Sequence, residues 1–231
     1  MPRADCPFVE DTAVVLAPGV ALRCHIGTPE RVGEAGVVSE ALTKLGYSVQ
    51  ELPRGATLDG GDVLALPGGG PMLVGLSRRS NAAGADALAT AAAAVGKQVL
   101  RVPVPTGLHL KSAMSALDER TLLFSAGAAG NALRTALLGS GNGSAGGLLQ
   151  PPACGRTWAA ATVPDPVAAN VLLLRGGSVV MQAGCASSEE LLRALCGERN
   201  LPLHVLPRMT EFIKADGALT CCSILLPSDE S

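Results

Sequence analysis

Aromatic side chains are nearly absent from this 231-residue chain: one Trp, one Tyr and three Phe, 2% in all. Bulky rings therefore cannot fill the core, which must close over Leu, Val, Ala and Met packed at short range. Clustered positive charge is missing too. With 18 Lys+Arg against 20 Asp+Glu the formal charge is -2, which excludes the basic surface that phosphate-binding proteins present to nucleic acid. Bilayer-length apolar runs are lacking, since the most apolar stretch, 87–95, is far too short to span and polar residues interrupt every wider window. Arg3 and Asp5 open the chain with no apolar run behind them, so neither a secretory signal nor a transit peptide is read and the expected compartment is cytoplasmic. The seven cysteines are an odd number without a CxxC pair, and in a reducing compartment they read as free thiols.

Apolar residues and chain breakers are abundant: 48% of the chain is hydrophobic, with 28 Gly and 16 Pro, and the mean hydropathy is +0.34. That suffices for one sizeable core, so residues 1–231 are read as one domain. Apolar spacing predicts helices over 30–45, 81–95, 129–138 and 187–196. In the first, Ala35, Val38, Leu42 and Leu45 fall at three- and four-residue steps and Gly46 follows as a stop. Strand-like runs lie at 12–16, 48–52, 62–66, 72–76, 98–102, 109–117, 121–126, 171–175, 178–182, 203–206 and 219–226. Three strands typically separate one helix from the next, a period of roughly 50 residues that favours a radial or stacked α/β arrangement. Residues 139–147 (GSGNGSAGG) read as a flexible surface loop.

Chemistry-bearing residues are few. Of three histidines, His25, His109 and His204, the second sits in GLHLKS, leaving a Pro/Gly turn. On its own it reads as a satisfied core or edge histidine. Cys221 and Cys222 are adjacent on a predicted strand, where neighbours face opposite sides, so one thiol at most points into a shared site. Acidic residues are the more pointed signal: Asp5, Glu10 and Asp11 crowd beside an apolar strand, and Asp59 and Asp62 flank two glycines in TLDGGDVL. The latter lacks the alternating oxygen ligands of a calcium loop and reads as a turn.

Five motifs in this order, DCPFVED (5–11), TLDGGDVL (57–64), VGLSRRSN (74–81), GLHLKS (107–112) and DGALTCCS (216–223), together resemble dimethylarginine dimethylaminohydrolases of the animal type. The resemblance implies a pentein α/β-propeller, in which five ββαβ modules surround a central site. The chain holds about four of the five, being short of the module that precedes the DCPFVED motif. An open channel and self-association are the expected consequences.

The family hydrolyses asymmetric dimethylarginine and monomethylarginine to citrulline and an amine, and so relieves inhibition of nitric oxide synthesis. The resemblance makes Cys221 the nucleophile, His109 the acid and base, and Asp59 the group that orients the imidazole. It sets Asp5, Glu10 and Asp11 toward the guanidinium, Arg31 and Arg79 toward the α-carboxylate, and the Ala215 carbonyl toward the amino group. It requires no cofactor or metal, and it marks Cys221 and His109 as the pair where zinc can bind as an inhibitor. Small methylated arginines are the expected partners, with neither nucleic acid nor a membrane. A non-catalytic relative that binds a ligand or partner is the alternative, because fold alone does not secure function.

Overall fold

Hairpins followed by a helix and a returning parallel strand recur four times in the computed structural model, which describes residues 6–31, 33–140, 146–151 and 157–227. The first module holds β1 (Ala13–Ala17), β2 (Val20–Arg23), α1 (Glu34–Lys44) and β3 (Ser48–Glu51). The second holds β4 (Val63–Ala65), β5 (Met72–Leu76), α2 (Ala82–Ala93) and β6 (Val99–Pro103). β7 (Met114–Ala116), β8 (Thr121–Ser125), α3 (Ala128–Leu138) and β9 (Ala159–Val163) make the third. β10 (Leu172–Leu173), β11 (Val179–Gln182), α4 (Ala186–Glu198) and β12 (Leu203–Leu206) make the fourth, and a short α5 (Thr210–Lys214) comes after it. In every module the first strand pairs antiparallel with the second and the second parallel with the third, giving four separate three-stranded sheets. The helix supplies the crossover that a parallel pair requires.

Local chemistry explains where these elements begin and turn. Gly19, at φ +72°, supplies the left-handed residue of the Pro18–Gly19 link between β1 and β2. At the β7–β8 turn, Asp118 accepts from the Arg120 N–H (2.7 Å) and the Thr121 hydroxyl (3.0 Å). Asn81 caps α2, its side chain accepting the Gly84 N–H at 2.8 Å. A methyl on Gly84 would lie 2.0 Å from the Thr57 carbonyl, so only glycine lets that helix start so close to the preceding loop.

The central strands β5 and β8 are buried almost throughout, whereas the outer β3 and β12 alternate or face solvent. The apolar clusters lie mainly between consecutive modules. Leu16, Leu22, Val63, Val74 and Leu88 join the first to the second; Leu73, Met114, Leu122, Phe124 and Leu137 join the second to the third; Leu123, Val163, Val179, Met181 and Leu192 join the third to the fourth. A smaller group, Ala13, Ala21 and Leu42, packs under Ile224 near the end of the chain. Burial of each such aliphatic side chain contributes roughly 1.5–3 kcal/mol. The first strands β1, β4, β7 and β10 together line a cavity of about 240 Å³ on the axis, whose wall the C-terminal Ile224 and Leu225 complete.

Several expectations are corrected. α1 starts at Glu34 rather than at residue 30, because Pro29–Arg31 forms a separate 3₁₀ turn. The expected strand at 109–117 becomes a 3₁₀ turn, Leu110–Ser112, before the three-residue β7. Residues 219–226 form no strand: Thr220–Cys222 is a 3₁₀ turn, and no strand of the described sheets pairs with residues 223–226. The premise that Cys221 and Cys222 face opposite sides of a strand therefore does not apply. Asp5 and the centre of the glycine-rich loop, 141–145, lie outside the described residues.

Candidate active site

Every module's first strand is entered through a 3₁₀ turn, and the residues of chemical interest sit on or next to these turns. They are Val9–Thr12 before β1, Gly60–Asp62 before β4, Leu110–Ser112 before β7 and Pro166–Ala169 before β10. The turn Thr220–Cys222 is a fifth of the same kind, entering residues 223–227. The first turn touches the second and the fifth, the second touches the third, and the third touches the fourth. Asn170, directly after the fourth turn, bonds to Thr220 of the fifth and closes the turns at this end into a ring, although the sheets stay open. The expected gape beside Cys221 is bridged here, with the Thr220 hydroxyl donating to Glu10 Oε2 at 3.0 Å.

At the second and third turns, His109 Nε2 lies 3.0 Å from Asp59 Oδ2 and 3.9 Å from Asp11 Oδ1. The imidazole is 5% exposed and the Asp59 carboxyl wholly buried. Asp59 is held in turn by the Gly27 N–H at 2.7 Å on its other oxygen. Its own N–H donates to the Ser80 hydroxyl. A methyl on Gly61 would sit 2.7 Å from His109 Nδ1, so the glycine pair in TLDGGDVL makes room for the ring. Burial pulls the imidazole pKa down, but the Asp59 hydrogen bond and the charges of Asp11, Asp62 and Asp59 outweigh it and raise the value above the usual one. Asp62 accepts from the Leu110 N–H and from the hydroxyls of Ser77 and Ser80, and so fixes the turn that carries His109.

The two described acidic residues of the first turn are matched with cations of the chain itself. Glu10 Oε1 lies 2.6 Å from Lys111 Nζ, with both side chains largely buried. Burial raises the Glu10 pKa, an effect Lys111 opposes. Asp11 Oδ2 accepts from Arg31 Nη1 at 2.7 Å, and its Oδ1 from the Gly61 N–H at 3.0 Å. Arg31, 7% exposed, also donates to Glu34 Oε2 and the Phe8 carbonyl. All three guanidinium nitrogens of Arg31 thus bond to the protein, and the residue braces Asp11. Arg79 is half-buried; its backbone packs on Gly27, where a methyl would meet the Arg79 carbonyl at 2.4 Å.

Cys221, half-buried on the fifth turn, accepts the Ala218 N–H at 3.5 Å. Burial and the nearby Glu10 carboxylate push its thiol up to about 12, so the thiol is protonated at neutral pH. Cys222 directs its sulfur to the Ala218 carbonyl at 3.9 Å. Ala215 is exposed at the end of α5, and Asp216 comes next at φ +56°. Gly217 then approaches so close that a methyl would meet the Phe8 ring at 2.3 Å. Among the described residues, the set of three that reaches metal-ligating separation is Asp11, Asp59 and His109, within 4.8 Å of one another, and Cys221 is not in it.

Two residues to which the sequence alone assigns no role complete the site. Lys111 lies within GLHLKS, but nothing in the spacing pairs it with Glu10. Asn170 comes directly after the fourth turn: its amide donates to the Lys111 carbonyl (3.0 Å) and Thr220 Oγ1 (2.8 Å) and accepts the Thr220 N–H (2.8 Å). A lone polar residue inside AANVLLL was the only hint.

Four repeated ββαβ modules that gather a carboxylate-held imidazole, two carboxylates and the Cys221 turn at one end define a pentein-type α/β protein. No protein-family model matches the chain. It is 37% identical over 228 residues to N(G),N(G)-dimethylarginine dimethylaminohydrolase of Streptomyces coelicolor, covering 97% of this chain and 77% of that relative. An uncharacterised Aeropyrum pernix protein is 31% identical over 221 residues, at 95% and 72% coverage. The chain belongs to the dimethylarginine dimethylaminohydrolase family. These kin are bacterial and archaeal, and the narrower animal-type likeness is not carried by them.

Solved structures share the fold. The Pseudomonas aeruginosa enzyme of this family, as a mutant complexed with citrulline, superposes with a TM-score of 0.71 at 21% identity, covering 92% of this chain and 73% of that one. The N-terminal domain of the cyanobacterial arginine dihydrolase ArgZ, bound to substrate, gives 0.73 at 20% identity, with 95% and 75% covered.

Proposed function

We propose that this chain hydrolyses asymmetric dimethyl-L-arginine and monomethyl-L-arginine to L-citrulline, releasing dimethylamine or methylamine. The observation that carries the reading is the convergence of the Asp59–His109 pair, the Glu10 and Asp11 carboxylates and the Cys221 turn on one ring of turns. The guanidinium is a poor electrophile and a delocalised cation. Carboxylates stabilise the cation by charge-assisted hydrogen bonds, and the sulfur supplies the nucleophile.

In the first half-reaction the Cys221 thiol releases its proton to solvent and its Sγ bonds to the guanidinium carbon, and the protonated His109 gives its proton to the departing amine as the C–N bond breaks. A thiouronium adduct remains on Cys221. In the second, water attacks the same carbon, His109 takes its proton, and the C–S bond breaks to release citrulline. The bound cation offsets the Glu10 charge that holds the thiol protonated, so substrate itself favours the thiolate.

Arg79 takes the α-carboxylate, and the Ala215 carbonyl the amino group. The reaction uses no cofactor. Zinc inhibition at His109 would draw on Asp11 and Asp59, which already stand beside the ring. Clearance of methylated arginines in this way would relieve nitric oxide synthesis of its inhibitors. The six described cysteines are free, in keeping with a reducing, cytoplasmic setting. Among the described residues no helix is long and apolar enough to cross a membrane.

The test is citrulline formation from dimethylarginine and monomethylarginine, with arginine as control. Turnover of the methylated substrates that disappears in Cys221→Ser supports the reading. Turnover of arginine alone would overturn it.

A further inference from the structure

Lys111 occupies the carboxylate that the proposed function assigns to the substrate's guanidinium. Its Nζ lies 2.6 Å from Glu10 Oε1, and the two side chains are 14% and 9% exposed. This contact is built, not incidental. Asn170 grips the Lys111 carbonyl and Thr220 with one amide, and Thr220 donates to the second oxygen of Glu10. Both partners also line the axial cavity, so the ammonium can leave the carboxylate without crossing packed core.

We propose that Lys111 is an internal counter-cation, which an incoming guanidinium displaces from Glu10 and which returns when the product is neutral. The inference rests on the reading of Glu10 as the guanidinium-binding group.

Charge alone dictates two consequences. Exchange of one cation for another leaves the buried carboxylate compensated at every stage, so no isolated charge is ever left in the interior. A ligand must also displace an ammonium already in place. A planar guanidinium does so with paired N–H donors, whereas a simple alkylammonium offers nothing that Lys111 does not supply. Citrulline's neutral ureido group cannot neutralise Glu10, so the returning Lys111 favours product release. Lys111 thereby sets both the preference for guanidinium over amine and the direction of exchange.

The test uses the full chain in a Cys221→Ser background, so that ligand is not consumed. Lys111 is labelled with a lysine-directed acylating reagent and quantified by mass spectrometry, and dimethylarginine and citrulline binding are measured by calorimetry. Labelling should rise severalfold when dimethylarginine saturates the protein and stay flat with citrulline. Lys111→Met should tighten dimethylarginine on the order of tenfold, since the cation then meets an uncompensated carboxylate, and Lys111→Arg should weaken it.

Opposite directions for the two variants separate exchange from a structural role, which would lower affinity in both. Unchanged labelling at dimethylarginine concentrations where calorimetry shows saturation overturns the exchange while leaving the binding assignment intact. A chain that binds no methylarginine overturns both.

Discussion

Asn170→Ala removes one side chain and undoes the link between two turns of the ring. The amide is 3% exposed and makes three hydrogen bonds of 2.8–3.0 Å, to the Lys111 carbonyl and to Thr220 Oγ1 and N. After truncation the Thr220 hydroxyl keeps its Glu10 acceptor. The Thr220 N–H and the Lys111 carbonyl lose the partner that Asn170 gave them. At about 1–3 kcal/mol for each buried group left unpaired, the loss is about 3 kcal/mol, a large share of the roughly 5–15 kcal/mol that holds a domain together. With a urea slope of about 2 kcal/mol/M, the midpoint should fall by about 1.5 M, read by far-ultraviolet circular dichroism.

Activity should fall further than stability, because Thr220 precedes Cys221 and a displacement of about 1 Å there costs on the order of 10²-fold in rate. Asn170→Asp should not rescue it, since a carboxylate would face the Lys111 carbonyl and Thr220 Oγ1 where a donor is required. The reasoning is refuted if the Ala variant unfolds within about 0.3 M urea of the parent and forms citrulline within about twofold of its rate.

Cys221→Ser should abolish citrulline formation while Cys222→Ser retains most of it; equal loss from both would remove the single nucleophile. Because the Cys221 thiol is pushed up to about 12, its alkylation in the ligand-free protein should climb about tenfold per pH unit between pH 7 and 10, and a plateau below pH 9 would contradict the buried, carboxylate-facing thiol. His109 is raised above its ordinary value; that stabilisation is fully present below its unfolded pKa and is lost as pH rises through the folded one, so Asp59→Asn should cost more stability at pH 6 than at pH 9, as urea midpoints will show. Glu10→Gln should weaken dimethylarginine at least tenfold more than citrulline in calorimetry, because only the former is a cation there.

Much of the architecture was legible, because apolar periodicity and turn residues agree: β5 and β12 fall where the pattern puts them, and α2, α3 and α4 within a few residues of it. The misses have physical causes. β9 is alanine-rich, with weak strand preference of its own, and is extended because β8 pairs with it. β2 comes so soon after β1 that only Gly19 marks the division. Residues 219–226 have strand composition but no sheet partner among the described residues, and a ladder cannot be read from one side alone.

At the site, His109 lies 3.0 Å from Asp59, and Arg31 bonds to Asp11, Glu34 and the Phe8 carbonyl, pairings that the sequence alone does not give. A motif fixes residue type and order, while its partner depends on which carboxylate the fold brings within reach. Lys111 and Asn170 stayed silent for the same reason: their partners lie fifty or more positions away in the chain.

The Thr220–Glu10 hydrogen bond joins residues 210 positions apart, with every module between them. The inter-module interfaces lie in series between them, so small slippages at successive interfaces would accumulate at the two ends. Holding those ends together loses chain entropy that grows with the logarithm of the separation, and local helix and hairpin formation does not offset it. The chemistry is thus wired as a tripwire on the whole molecule: under gentle heating or low denaturant, catalysis should lapse while helical content is still nearly full.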